Sequence, residues 1–349
     1  MVKTISPLLQ EIMEQPQVIR HLLQTEAGRV SEVAGRIRDR GIEFTFIAAR
    51  GTSDNAATYA KYVFGSINHL AVALAAPSLF TLYKSPPRLT QALVMGISQS
   101  GQSPDIVAVL RQGRRQGALT VAITNEGDSP LARAAEYTLL CRAGEEKSVA
   151  ATKTYTTQLA LLALLSAELN GEESMLKELK SLPSHLEKVL SLDEVIREYS
   201  QRYRYAERFV VIGRGYNYAT ALEIALKLKE TSHIVAEPYS AADFWHGPIA
   251  MVERDLPVIM IAPRGSTLVE MQRLAKKVGS RGAELMIISD DEKMLELAHL
   301  PLKVPVSVPE VFSPLLYVMA GQLLAYHVAS IKGYDPAHPR GLRKVTLTR

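Results

Sequence analysis

The sequence predicts an α/β protein made of two copies of one parallel-sheet unit, and three observations carry that prediction. Short apolar runs that read as buried strands alternate with helix-like segments along the chain. The same strand–turn–helix order occurs twice. Two strands of the first copy end in turns rich in Ser, Thr and Gly that open directly into helices.

In the first copy, Phe44-Thr45-Phe46-Ile47-Ala48-Ala49 reads as a buried strand. It is followed by Arg50-Gly51-Thr52-Ser53-Asp54-Asn55 and the helical run Ala56 to Phe64. A second strand, Ala92 to Ile97, ends in Ser98-Gln99-Ser100-Gly101-Gln102-Ser103 and passes into a helix start at Ile106 to Leu110. A basic helix and a third strand, Leu119 to Thr124, complete the copy. The second copy repeats the order. Phe209 to Ile212 leads into Gly213-Arg214-Gly215 and the helix Ala219 to Glu230; the strands Pro257 to Ile261 and Glu284 to Ser289 follow. A helical linker rich in Leu, Lys and Glu runs from about Glu173 to Ser200, and helix-like segments at Leu8 to Leu23 and Leu315 to Ile331 flank the pair. Strands alternating with helices imply parallel sheets with right-handed crossovers.

The turn at Ser98 to Ser103 is the most informative stretch. The free N–H groups of a first helical turn, the positive end of the helix dipole and several short hydroxyls converge there, which suits an anion. No Lys or Arg lies inside it, so the expected guest is a small phosphate monoester rather than a nucleoside triphosphate gripped by a P-loop lysine. The turn after Ala49 can point into the same crevice, because ligands of open α/β sheets sit beyond the carboxyl ends of the strands. In the second copy the equivalent position reads Ala262-Pro263-Arg264-Gly265-Ser266, where the proline removes one N–H donor and stiffens the loop. The phosphate role therefore falls to the first copy.

Composition narrows the classes. The 349 residues suffice for two domains of ordinary size, and 47% hydrophobic with 22% charged residues is the balance of a globular protein. No uninterrupted apolar run of spanning length and no signal-peptide core is visible, so no membrane partner is expected. The single cysteine, Cys141, excludes an intrachain disulfide and suits a reducing cytoplasm; its strand-like surroundings mark it as core filler. A net charge of +4 with basic and acidic residues interspersed, as in Arg38-Asp39-Arg40, gives no nucleic-acid footprint. Histidines and carboxylates show no metal-ligand spacing.

Taken together, the motifs resemble the sugar isomerase (SIS) family, and the whole chain is similar to the isomerase half of glutamine–fructose-6-phosphate aminotransferases. Gly51-Thr52-Ser53, Ser98-Gln99-Ser100-Gly101, Ser148-Val149-Ala150-Ala151-Thr152-Lys153 with Thr156-Thr157-Gln158, Ala225 to Glu230, Ala236-Glu237, His246-Gly247-Pro248 and Leu324-Ala325-Tyr326-His327 carry the likeness in order. The resemblance implies two tandem SIS domains, each a parallel sheet flanked by helices in a flavodoxin-like three-layer sandwich. The domains are expected at 31–190 and 191–334, with an N-terminal helical segment at 1–30 and a C-terminal tail, 335–349, over the active site.

Position by position, the resemblance implies phosphate binding by Ser53, Ser98, Gln99, Ser100 and Ser103, with Thr52 beside them; Ser103 replaces the usual Thr and Gln102 the usual Glu. Val149 and Ala150 match a backbone segment that lines the sugar site. Glu230 matches the carboxylate that shuttles a proton, His246 the ring-opening histidine, Lys344 the lysine that forms a Schiff base with the open-chain ketose, and Lys227 a helper lysine. On pattern alone Glu230 would be a solvated helix face, His246 a packed loop residue and Lys344 part of a frayed end; the resemblance reverses each reading. The chemistry agrees with these residue types. Moving hydrogen between C1 and C2 needs a carboxylate base, ring opening needs a group that exchanges protons near neutral pH, and an iminium on lysine acidifies the neighbouring C–H. Lys227 and Glu230, three apart, share one helix face.

Full synthases carry an N-terminal glutaminase domain with a cysteine after the initiator methionine. Val2 stands at that place, so glutamine hydrolysis is not expected within this sequence. The leading expectation is conversion of glucosamine 6-phosphate to fructose 6-phosphate and ammonia, in the manner of SIS-type deaminases. Ammonia-dependent synthesis and deglycation of a fructosamine-type 6-phosphate are the alternatives within the enzyme class. No cofactor is needed for any of them. The resemblance also implies a homodimer with shared active sites, His246 reaching across to the other subunit. The competing class is a non-catalytic sugar-phosphate sensor, which would need the phosphate turn but not Glu230, His246 and Lys344 together.

Overall fold

Apolar runs become strands wherever both of their faces can be covered. In the computed structural model, which describes residues 6–344, β3 (Ala92–Ile97) and β4 (Leu119–Thr124) are buried at every position. They therefore show continuous rather than alternating hydrophobicity.

In chain order the first elements are α1 (Pro7–Asp39), β1 (Phe44–Ala48), α2 (Thr52–Ile67), β2 (Ala71–Leu74) and α3 (Ser78–Thr81). After β3 come α4 (Pro104–Arg115), β4, α5 (Pro130–Ala134), β5 (Tyr137–Leu140), α6 (Lys153–Asn170), α7 (Glu173–Val189) and α8 (Asp193–Ser200). Then follow β6 (Arg208–Gly213), α9 (Asn217–Ser232), β7 (Val235–Ser240), α10 (Ala241–Trp245), β8 (Pro257–Ile261) and α11 (Leu268–Gly279). The chain closes with β9 (Glu284–Ser289), α12 (Glu292–Leu295), β10 (Leu300–Lys303) and α13 (Ser313–Ile331).

These elements fall into two units. Among the described residues, the first takes Gln15–Glu146, Lys153–Pro183 and residues 343–344; the second takes residues 6–14, Lys147–Thr152 and Ser184–Leu342. Each holds one five-stranded sheet, in the orders β2-β1-β3-β4-β5 and β7-β6-β8-β9-β10. Every pairing is parallel, and the two orders are the same. In the first sheet Ala48 pairs with Gly96, so the carboxyl ends of β1 and β3 lie side by side and bring their turns together. β6 and β8 do the same in the second, with Ile212 opposite Met260.

The two sheets bear out the expected repeat and add strands to it. β2 is mostly exposed and four residues long, and β7 contains Pro238. Both are edge strands, where short length and a missing N–H are tolerated. Helix α1 continues past Leu23 to Asp39 because Val30, Val33, Ala34 and Ile37 keep a buried stripe at helical spacing. Cys141 is fully buried, and burial pushes its thiol up to about 12, so it serves the core.

Within the second unit α13 packs against α9 and α8. The segment Glu310–Ile331 has the length and mean hydropathy (1.3) of a membrane span, but 94% of its apolar window is buried inside the fold. Its approach to α9 is close: a Cβ at Gly321 would lie 2.1 Å from Cγ1 of Ile224. That fit holds α9, and the charged side chains it carries, in place.

Candidate functional site

In the first unit, Gly101 bends the turn after β3 with φ +61°, a conformation that L side chains avoid. A Cβ there would also lie 2.2 Å from Oγ of Ser129, so the position excludes any larger residue without rearrangement. Ser98 Oγ accepts from the Gly101 N–H at 3.2 Å and Ser100 Oγ from the Gln102 N–H at 3.3 Å. Both hydroxyls therefore have their acceptor side engaged by the turn and their O–H left to donate. Ser103 begins α4 as its N-cap residue without using its side chain for capping. Pro104 follows at the first helical position, which fixes the entry of the chain.

The turn after β1 is joined to this one. Arg50 Nε donates to Asp105 Oδ2 at 2.9 Å, and Asp105, fully buried in the first turn of α4, also accepts from the Ile106 N–H at 2.9 Å. Thr52 and Ser53 open α2; Ser53 is buried, and its Oγ accepts from Gln158 Nε2 at 3.1 Å. Gln158 is fully buried and its Oε1 has no hydrogen-bond partner among the described residues.

Lys344 belongs to the same unit. Its ammonium donates to Glu146 Oε2 at 2.9 Å, and the fully buried Glu146 side chain also accepts from the Thr154 N–H at 3.1 Å and the Thr154 hydroxyl at 2.7 Å. Lys344, Glu146, Gln99 and Ser100 line one open cleft of about 480 Å³. The tail lysine thus stands at the wall of the cleft that the hydroxyl turn also lines.

In the second unit, α9 sets Glu223, Lys227 and Glu230 on one face at i, i+4 and i+7. Lys227 Nζ lies 2.5 Å from Glu230 Oε2 and 3.3 Å from Glu223 Oε1. The Lys227 and Glu223 side chains are 2% and 0% exposed, whereas that of Glu230 keeps 24%. Burial alone would pull the lysine down, but the two carboxylates outweigh it and hold the ammonium well above its ordinary value. Glu230 is the member of the trio that solvent or a ligand reaches.

His246 ends the short helix α10; its ring is exposed and makes no hydrogen bond among the described residues, and none links it to Lys227 or Glu230. Val149 donates its N–H to Ala337 O at 3.0 Å, and Ala150 is buried beside it. The carboxylate of Glu11 supports this segment by accepting from the backbone N–H groups of Lys147 and Ser148. Among the described residues no group of three or more His, Cys, Asp or Glu side chains converges to hold a metal.

Sequence reasoning missed Glu223, Glu146 and the Arg50–Asp105 link. Glu223 had a signal, since it completes a heptad face with Lys227 and Glu230. Glu146 had none, because its contact with Lys344 spans 198 residues of chain.

The chain is a doubled parallel α/β unit with a hydroxyl-rich turn at the carboxyl edge of one sheet. Residues 45–167 and 203–332 match the SIS domain, and the chain belongs to the SIS-domain family. It is 36% identical over 346 residues to a glutamine–fructose-6-phosphate aminotransferase (isomerizing) of Thermococcus kodakarensis, covering 97% of this chain and 57% of that protein. The chain thus spans little more than half the length of the curated relatives it matches. The C-terminal domain of glucosamine-fructose-6-phosphate aminotransferase from Francisella tularensis superposes with a TM-score of 0.86 at 29% identity, covering 97% of this chain and 99% of that one. A structure of glucosamine-6-phosphate deaminase from Thermotoga maritima, 22% identical, shares the fold with a TM-score of 0.80 over 98% of this chain and 100% of that one.

Proposed function

We propose that this chain is a sugar-phosphate isomerase acting on an amino sugar, converting glucosamine 6-phosphate and water to fructose 6-phosphate and ammonia. The observation that carries the reading is the partly accessible Glu230 carboxylate held against the buried Lys227 at 2.5 Å. A carboxylate held in place yet still reachable is placed as a proton-transferring base must be. With the pyranose open, Glu230 takes the proton from C2 and returns it to C1, leaving an iminium at C2. Water, or the Lys344 amine followed by water, attacks C2 and ammonia departs as the ketose forms. The Ser98, Ser100 and Ser103 hydroxyls and the helix start at Pro104 receive the phosphate. The names of the relatives support the substrate class, since they specify fructose 6-phosphate, the product of the proposed direction.

The His246 ring, exposed and with no hydrogen-bond partner among the described residues, fits ring opening at a second subunit's site in a homodimer. The test is ammonia and fructose 6-phosphate release from glucosamine 6-phosphate by purified protein, with Glu230→Gln and His246→Ala protomers assayed alone and mixed. Stoichiometric release, lost in each variant and partly recovered on mixing, is expected. No release, with heat protection by the same sugar phosphate, would overturn the deamination and move the search to amine-substituted sugar phosphates. Release with no recovery on mixing would overturn the shared site.

A further inference from the structure

The hydroxyls of α2 are not equivalent. Thr58 and Ser66 donate to the carbonyls four residues back, Asp54 O at 3.1 Å and Tyr62 O at 2.7 Å, as helical hydroxyls commonly do. Ser53 is the second residue of the helix, so the carbonyl four residues behind it lies outside α2. Its Oγ accepts from Gln158 Nε2 at 3.1 Å, the one hydrogen bond this hydroxyl makes among the described residues. A hydroxyl has one hydrogen and two lone pairs. With an amide N–H seated on a lone pair, the Ser53 hydrogen must point away from Gln158. The only partners open to it are those a ligand brings to the start of α2, which Arg50 and Asp105 tie to the neighbouring hydroxyl turn.

Gln158 is fully buried in α6, where every residue from Lys153 to Ala167 is buried. Its Oε1 has no partner among the described residues, and a buried carbonyl without a donor costs stability. The amide thus leaves one of its own atoms unsatisfied while serving a single hydroxyl of α2. Methionine has a similar length and no polar group to strand, so packing alone does not call for glutamine.

We infer that Gln158 is a positioning residue for anion binding: by donating to Ser53 Oγ it fixes that hydroxyl as a hydrogen donor toward a phosphate oxygen. The inference rests on the phosphate role proposed above for this unit and adds the residue that sets the polarity of Ser53. A hydroxyl free to rotate can turn a lone pair toward the anion; one whose lone pair is engaged presents its hydrogen. Ser98 and Ser100 accept from backbone N–H groups in the same sense, so a buried side chain does for Ser53 what the turn's own backbone does for them.

The experiment is titration calorimetry with inorganic phosphate, with Tm recorded alongside, on wild type, Ser53→Ala, Gln158→Glu, Gln158→Met and the double variant Ser53→Ala/Gln158→Met. Gln158→Glu replaces the donor by an acceptor that draws the Ser53 hydrogen inward, so it should weaken phosphate by about tenfold, as Ser53→Ala does. Gln158→Met only removes the donor and should weaken phosphate by about threefold while Tm holds or rises. A purely structural glutamine would lose Tm instead. In the Ser53→Ala background Gln158→Met should have no further effect on phosphate, because the two residues act through one hydroxyl. Wild-type affinity in the Gln158 variants beside a weakened Ser53→Ala would overturn the inference and leave Ser53 at the phosphate. An equal effect of Gln158→Met with and without Ser53 would also overturn it. No phosphate binding by wild type, or unchanged affinity in Ser53→Ala, would overturn the phosphate role of Ser53 and the inference with it. Should Gln158→Glu not fold, Gln158→Met and its double variant decide the matter.

Discussion

The turns after β3 and β8 occupy the same place in two sheets of identical strand order, yet one holds buried and half-buried serine hydroxyls and the other is filled by the protein's own carboxylate. In the first, the Ser98 and Ser100 hydroxyls accept from N–H groups of the turn itself. In the second, Ser266 and Thr267 give their donors to Glu310. A single acidic side chain thus makes the difference between the two turns: it takes the donors of the second and has no counterpart in the first among the described residues. The second unit carries its chemistry elsewhere, on α9, where Glu223 and Lys227 hold Glu230.

The strongest way to break this contrast is at Glu230. The change Glu230→Gln keeps the side-chain shape and should lower kcat by about a hundredfold to ten-thousandfold, the usual range for a lost acid–base group, with KM little changed. Steady-state assay with glucosamine 6-phosphate decides it; activity within a few-fold of wild type would remove the catalytic role of α9.

Next in size is the buried cation. Lys227→Met leaves the fully buried Glu223 without its lysine and should cost about 3–5 kcal/mol of stability, read by urea unfolding. The lysine is held above its free value of 10.5, so its contribution is complete below that pH and is lost only as pH rises through the higher folded value. The wild-type-to-variant difference should therefore be flat from about pH 6 to 9 as far as the lysine is concerned. A difference that shrinks steadily across that range would contradict the sign of the shift.

The two turns can be separated directly. Ser100→Ala should raise KM for the phosphorylated substrate by about tenfold to a hundredfold, as for one hydrogen bond to a charged group, and leave Tm nearly unchanged. Thr267→Ala should do the reverse, losing about 1–2 kcal/mol of stability through the Glu310 contact while leaving KM alone. Identical behaviour of the pair would erase the distinction between open and filled turns. The smallest effect is expected at Ser129, whose hydroxyl caps α5 by accepting from Ala132 N at 3.2 Å. Ser129→Ala should cost about 1 kcal/mol in thermal unfolding.

The sequence by itself determined the repeat, the central strands and the hydroxyl turn, because each is a local pattern. Both-face burial writes itself as an unbroken apolar run, as in β3, β4, β8 and β9, and an anion turn as short hydroxyls around a glycine. The edge strands β2 and β7 escaped because β2 is only four residues long and β7 is interrupted by Glu237 and Pro238. Family motifs picked out Glu230, Lys227 and Lys344 as candidates, but what holds them in place was not legible. Glu146 meets Lys344 across 198 residues, and Glu310 meets Ser266 across 44. Only the tertiary structure decided these pairings, because a charge acts through space and packing alone sets which distant carboxylate a buried donor will face.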